Sequence, residues 1–344
     1  MSITWIRSAG LMLALALTTT SFAFAQDGKL ETPNVRIAVG GKSALFYLPL
    51  SVTEHLGYFN DAGLNVEIDD VSSGGRTLQA IVGGSAEFGT GTFDHSIQMQ
   101  AKGQPVVSIV QMGRYPGFVL GIMTAKASRY QSPKDLKGMK IGVTSLGSST
   151  QFMAAYMLVR SGLNPDTDVS FISTGTTATA VAAAKRGEID AIVTSDPMAS
   201  LMTSEKLITV VADTRTPEGT QEVYGGPYPG GVVYASSAFI EKNPKTTQAV
   251  VNAFVRGLKW IASHSPDEIA KLMPAEYALG NYSVYTQAIA ASKAMYSPDG
   301  RFQLGAADAA YAVLKQFNPP VAVAKVDLSQ TYTNVFVEKA LATK

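Results

Sequence analysis

Residues 137–162, KGMKIGVTSLGSSTQFMAAYMLVRSG, decide how the rest of the chain is read. The run Met139 to Thr144 predicts a short buried strand, Ser145 to Thr150 a loop of small polar residues, and Thr150 to Arg160 a helix that stops at Gly162. The first amides of a helix have no intrahelical partners and carry the positive end of its dipole, so such a loop is half of an anion site. Ser148, Ser149 and Thr150 can add hydroxyl contacts to a ligand or serve simply as helix caps. The lysine of a nucleotide-binding P-loop is missing and no GxGxxG follows the strand, so neither common nucleotide motif is present.

The same alternation extends on both sides. Upstream, a strand at Val35 to Val39 leads through the loop Gly40 to Phe46 into a helix with Pro49 in its first turn, ending before Gly57. A turn at Asn60 to Gly63 and a strand at Leu64 to Ile68 follow; Ser72 to Gly75 then opens a helix at Arg76 to Val82. A brief strand around Phe88, a helix at Phe93 to Lys102 and a strand at Val106 to Gln111 complete this half. Downstream come a strand at Val169 to Ser173, the loop Thr174 to Thr177, a helix at Ala178 to Arg186 and strands at Ile189 to Thr194 and Leu207 to Ala212. Strands alternating with helices imply an α/β fold with largely parallel sheets. The halves share a detail: Gly84 to Glu87 leads through a strand to Asp94, and Gly187 to Asp190 leads through a strand to Asp196.

Two Pro/Gly-rich crossings separate the halves, Arg114 to Gly117 before a strand at Phe118 to Met123, and Gly225 to Gly231 before a strand at Val232 to Ala235. A chain that leaves one lobe, builds a second and returns has two connections, which is a hinge arrangement. The expected division is 34–117 plus 231–344 for lobe one and 118–230 for lobe two. The remainder reads as helical, with starts at Asn243-Pro244 and at the capping box Ser265 to Glu268. Val250, Phe254, Leu258 and Ile261 share one helix face, most simply a core face.

Composition narrows the function. Arg7, the apolar run Leu11 to Leu17 and Ala23-Phe24-Ala25 form a secretory signal over residues 1–25, which places the mature chain in the periplasm. Its removal leaves 27 basic against 27 acidic residues, a neutral balance that argues against nucleic acid or a membrane surface as partner. The absence of cysteine excludes disulfides, thiol catalysis and Cys-ligated metal. No nucleophile–base set, GxSxG or HExxH motif is present, so neither an enzyme nor a cofactor or metal is indicated.

In parallel sheets, ligands bind beyond the carboxyl ends of the strands. The loops that fall there are Gly40 to Phe46, Ser72 to Gly75, Gly91 to His95, Ser145 to Thr150, Thr174 to Thr177 and Ser195 to Pro197, all small, polar and mostly glycine-bearing. Lys42, Arg76 and Arg114 are the cationic candidates, Arg76 foremost. His95, beside Asp94, is a ligand candidate or a structural loop histidine. Phe46, Tyr47, Phe93, Tyr115 and Tyr228 could cover an organic ligand or pack the lobe edge.

Taken together, VRIAVGGKSALFYLPLSVTEHLGYFNDAGLNVEI, the segment from Leu136 to Ile172, AVAAAKRGEIDAIVTSDP and KVDLSQTYTNVFVEKAL resemble the nitrate, sulfonate and taurine binding proteins of ABC importers, a group similar to binders of thiamine pyrimidine precursors. The resemblance implies a type II periplasmic binding protein fold, α/β and two-lobed, that closes on a small solute and delivers it to an inner-membrane permease and its ATPase. It implies that Gly41, Lys42, Ser43 and Phe46, the turn at Ser73 and Gly74, Ser148 and Ser149, the loop Thr174 to Thr176, and Asp196 face the cleft. A pyrimidine-synthesising enzyme of similar fold uses a Cys-rich iron segment that has no counterpart here. The expectation is therefore a monomeric binding protein for an anionic solute, a sulfonate, nitrate, taurine-like compound or aromatic acid. A neutral pyrimidine-like heterocycle, a periplasmic enzyme on the same fold and a sensory subunit are the alternatives.

Overall fold

The structure, a computed structural model, describes residues 29–176 and 178–342; the signal segment and Thr177 lie outside them. The strands are β1 (Asn34–Val39), β2 (Asn65–Asp70), β3 (Phe88–Thr92), β4 (Val106–Gln111), β5 (Phe118–Met123), β6 (Lys140–Val143), β7 (Ser170–Ser173), β8 (Ala191–Ser195), β9 (Ile208–Asp213) and β10 (Gly231–Ser236). They form two five-stranded sheets, one in the order β2-β1-β3-β10-β4 and the other β7-β6-β8-β5-β9. β1 pairs in parallel with β2 and β3, as β6 does with β7 and β8. The match between Gly84–Asp94 and Gly187–Asp196 thus reflects equivalent places, since β3 and β8 occupy the centre of their sheets.

Each sheet departs from the parallel pattern once. β10 runs antiparallel between β3 and β4, and β5 antiparallel between β8 and β9. Both strands follow a Pro/Gly crossing. The chain arrives from the opposite sheet at the end where the parallel strands terminate, so its next strand runs away from that end.

Sequence and packing agree closely around β3. Its centre carries Gly89 and Gly91 because the ring of Tyr234, on neighbouring β10, lies against it; a Cβ at either glycine would stand 2.7 Å from a Tyr234 ring carbon. Tyr234 is fully buried in consequence. The helix Pro244–Ser263 buries Val250, Phe254, Leu258 and Ile261, its expected core face. One local difference falls after the helix Leu48–His55. The turn expected around Asn60 begins as a further helical turn at Tyr58–Asp61, where Gly57 (φ 73°) redirects the chain and Phe59 enters the core.

The C-terminal helices pack mainly on the first sheet but touch the second lobe at two points. Phe317 lies against Phe152 and Tyr156 of the helix Ser149–Arg160, at ring-centroid distances of 5.6 and 6.4 Å. On the other flank Ser292 donates to Asp196 Oδ2 at 3.0 Å. The two lobes therefore meet on both sides of the cleft.

Candidate functional site

Six loops converge on one cavity. Gly40 follows β1, Gly74 lies beyond β2 and Thr92 ends β3; from the second sheet Thr144 follows β6, Thr176 lies beyond β7 and Ser195 ends β8. Phe46, Tyr47 and Phe118 supply the apolar wall, with Phe46 stacked on Phe118 at 5.4 Å. His95 and the helix start Ser148, Ser149 and Thr150 complete it. The free space inside is about 30 Å³, far below the roughly 300–1,000 Å³ of ligand pockets, so the lobes stand closed over the site and must part to admit a solute.

The hydroxyls of Thr92, Ser148 and Ser149 are hydrogen-bonded inward. Thr92 Oγ1 donates to Asp94 Oδ1 at 2.5 Å and Ser149 Oγ donates to the same oxygen at 2.8 Å; Thr92 and Ser149 also touch each other across the cleft. Tyr228 donates its hydroxyl to Asp94 Oδ2 at 3.3 Å from a ring stacked on Tyr224 at 4.0 Å. Burial, and then the nearby Asp94, raise the Tyr228 pKa well above its ordinary value. Ser148 Oγ donates to the Ser145 carbonyl at 2.7 Å. Asp94 itself is buried directly beneath this wall.

His95 is the exception to this satisfaction. Its ring is 1% exposed, yet neither Nδ1 nor Nε2 has a partner among the described residues, and Nε2 stands 4.0 Å from Asp94 Oδ1. Burial holds its pKa below the ordinary value, with Lys102 acting the same way and Asp94 opposing, so the imidazole is neutral at pH 7. The Thr176 hydroxyl is likewise without a partner.

Of the expected residues, Phe46, Gly74, His95, Ser148, Ser149 and Thr176 line the cavity. Gly41 lies at its edge, where a Cβ would stand 2.3 Å from Thr176 Oγ1, so its missing side chain lets the two loops meet. The others are placed elsewhere. Lys42 pairs with Glu54, its Nζ donating to Oε1 at 2.8 Å, and Ser43 is half-buried outside the lining. Ser73 caps the helix Gly74–Val82 by accepting from the Arg76 amide at 3.4 Å, while the Arg76 side chain is exposed. Arg114 donates to the Ala294 carbonyl at 2.9 Å and lies over the ring of Tyr115, which packs among apolar neighbours. Phe93 is a core residue against Phe302 and Tyr332. Thr174 turns its hydroxyl to the Val143 carbonyl at 3.1 Å.

Asp196 is buried in a closed network instead of facing the cavity. It accepts from Arg215 Nη1 at 2.8 Å, from Ser200 and from Ser292, and its carbonyl accepts from the Leu45 amide at 2.7 Å. Burial works against the Arg215 charge, but Asp213 and Asp196 raise its pKa above the ordinary value. Phe118, Thr92, Thr144 and Ser195 enter the lining through strand ends, and Asp94 supports it from below. The signal for these was the crossing glycine at 117 and the repeated strand-to-aspartate unit.

No lysine or arginine lines the cavity, and among the described residues no group of His, Cys, Asp and Glu could hold a metal. No helix of the described residues is long and apolar enough to cross a membrane. The fold is that of the type II periplasmic binding proteins, in which two α/β lobes joined by chain crossings enclose a ligand cavity. The chain belongs to the NMT1/THI5-like family, whose pattern matches residues 47–269. It is similar to a solved protein from Bordetella bronchiseptica RB50, with 43% identity, a TM-score of 0.88 and coverage of 92% of this chain and 99% of that one. The alkanesulfonate-binding protein SsuA from Xanthomonas axonopodis pv. citri, solved with MOPS, shares the fold at 18% identity and a TM-score of 0.70 over 89% of this chain and 100% of its own. The periplasmic nitrate-binding protein NrtA from Synechocystis PCC 6803 does so at 13% identity and a TM-score of 0.72 over 92% and 90%.

Proposed function

We propose that this protein is the periplasmic solute-binding component of an ABC importer, which captures a small organic solute between its lobes and hands it to a membrane permease and ATPase. One observation carries the reading: β1, β2 and β3 of one sheet and β6, β7 and β8 of the other all discharge their carboxyl ends into a single cavity whose walls come from both lobes. A solute seated there gains contacts from both lobes only when they are together, so binding favours the closed arrangement. The lobes are taken as 34–117 plus 231–344 and 118–230, the ligand contacts as the lining residues, and the working unit as a monomer. The fold of nitrate- and sulfonate-binding relatives supports the importer role.

Binding without turnover is the expected behaviour, because His95 has no nucleophile within hydrogen-bond reach to activate. The test is a thermal-shift screen over sulfonates, nitrate, aromatic carboxylates and amino-heterocycles. A solute at a hundred times its dissociation constant should add roughly 2.7 kcal/mol of stability. X-ray scattering should then show a compact form, and the bound molecule should be recovered chemically unchanged at one per chain. Release of a modified molecule over many cycles would instead identify an enzyme.

A further inference from the structure

We infer that Asp94 sets the polarity of the cavity, so that the site takes a flat, uncharged or positively charged solute bearing N–H donors and rejects oxyanions. This rests on the solute-binding reading above and concerns which solute enters. A helix start rich in hydroxyls is a natural anion site only while those hydroxyls have protons to offer. Here they are committed elsewhere. Thr92 and Ser149 keep their hydroxyl protons within the triangle they form with each other and Asp94 Oδ1, and Ser148 directs its own to the Ser145 carbonyl. A hydroxyl has one proton and two lone pairs, so these side chains turn lone pairs toward a ligand.

The charges point the same way. Asp94 is buried and accepts from Thr92, Ser149 and Tyr228, with no lysine or arginine among its partners. None of the cationic candidates, Lys42, Arg76 and Arg114, reaches the cavity. The helix N-terminus contributes about half a positive charge, against a full negative charge one hydroxyl away at Ser149. An oxyanion at the helix start would therefore meet lone pairs backed by a carboxylate.

A second observation comes from His95, which lines the cavity at 1% exposure with both ring nitrogens unpartnered. As a neutral imidazole it offers one acceptor and one N–H donor. The 4.0 Å between its Nε2 and Asp94 Oδ1 is too long for a direct hydrogen bond. An amino or amidinium group above Thr92, Ser149 and His95 has several protons to place on these acceptors. Phe46, Phe118 and Tyr47 make the remaining wall aromatic and suit a planar body.

The test uses a planar series that varies charge at nearly constant shape: benzamidine, benzamide, benzoate and benzenesulfonate, with nitrate added, titrated calorimetrically into the mature protein. Benzamidine and benzamide should bind more tightly than benzoate, benzenesulfonate and nitrate. Asp94→Asn keeps an oxygen that can accept from Thr92 and Ser149 but removes the negative charge behind them, and should move the anion-to-cation affinity ratio toward anions by at least about tenfold. If that variant does not fold, the series on the unmodified protein decides alone. Tighter binding of the anions, or an unchanged ratio in the Asn variant, overturns the assignment while leaving solute binding intact. Binding by none of the five overturns it as well. Only a failure of the stoichiometric-binding and compaction tests would remove the solute-binding reading.

Discussion

Asp94 and Asp196 stand at equivalent points of the two lobes, just past the ends of the central strands β3 and β8, and both are buried. Their surroundings differ in one respect. Asp196 is answered by the guanidinium of Arg215, assisted by Ser200 and Ser292, and its carboxylate is wholly occupied away from the cavity. Asp94 is answered by hydroxyls alone, and two of these, Thr92 and Ser149, form the cavity wall. The same position has become an anchor in one lobe and a polarising group in the other. The partner decides which, because a neutralised carboxylate projects little field while one held by cavity-lining hydroxyls transmits its preference through them.

The sharpest way to break this contrast is to remove the cation. Arg215→Met leaves Asp196 buried and unpaired, and loss of one partner of a buried pair costs about 3–5 kcal/mol; urea unfolding should show a destabilisation of that order. Ser149→Ala removes one hydrogen bond from Asp94 and with it a contact between the lobes. Stability should fall by about 1.5–3 kcal/mol, the range for a hydrogen bond to a charged group, and the solute-free radius of gyration should rise. An unchanged radius would show that the flanking contacts at Phe317 and Ser292 alone hold the lobes together.

The pH dependence tests the imidazole beside Asp94. His95 is held below the ordinary histidine value by burial, so the unfolded chain takes up a proton near pH 6.5 that the folded chain does not. The unfolded state binds more protons in this window, and its contribution to stability is complete above about pH 6.5 and declines as the pH falls toward the folded value. His95→Gln should flatten that part of the stability curve. The smallest effect belongs to Lys42→Ala, which removes a partly exposed pair with Glu54. A change within about 1 kcal/mol is expected, with solute affinity unaltered; a large loss of affinity would place Lys42 back at the cleft.

The loops of the site were legible because glycine, serine and threonine clusters at strand ends mark where backbone must approach a ligand, and all six supply lining residues. Side-chain direction was not legible. Phe93 and His95 stand two residues apart at one helix start, yet one turns into the core against Phe302 and the other into the cavity. Ser73 and Thr174 have the residue types of ligand contacts but satisfy a helix start and a strand carbonyl. Asp196 looked like Asp94 because the local unit is the same. What separates them is Arg215, nineteen positions beyond Asp196 and placed by β9 and its turn. The expected cations failed to reach the cavity for a similar reason: Lys42 found a carboxylate in the last turn of the neighbouring helix.

The exchanged strands carry a consequence for assembly. The second sheet is built from an unbroken stretch, Phe118 to Asp213, whereas the first has a slot between β3 and β4 that only β10, at Gly231–Ser236, can fill. Contacts that await distant chain form late. The interior sheet in sequence is thus the earlier to close, and the lobe that contains both ends of the described residues is finished last, around Tyr234. Pulse-labelled hydrogen exchange during refolding should show amides of β6 and β8 protected ahead of those of β3 and β4.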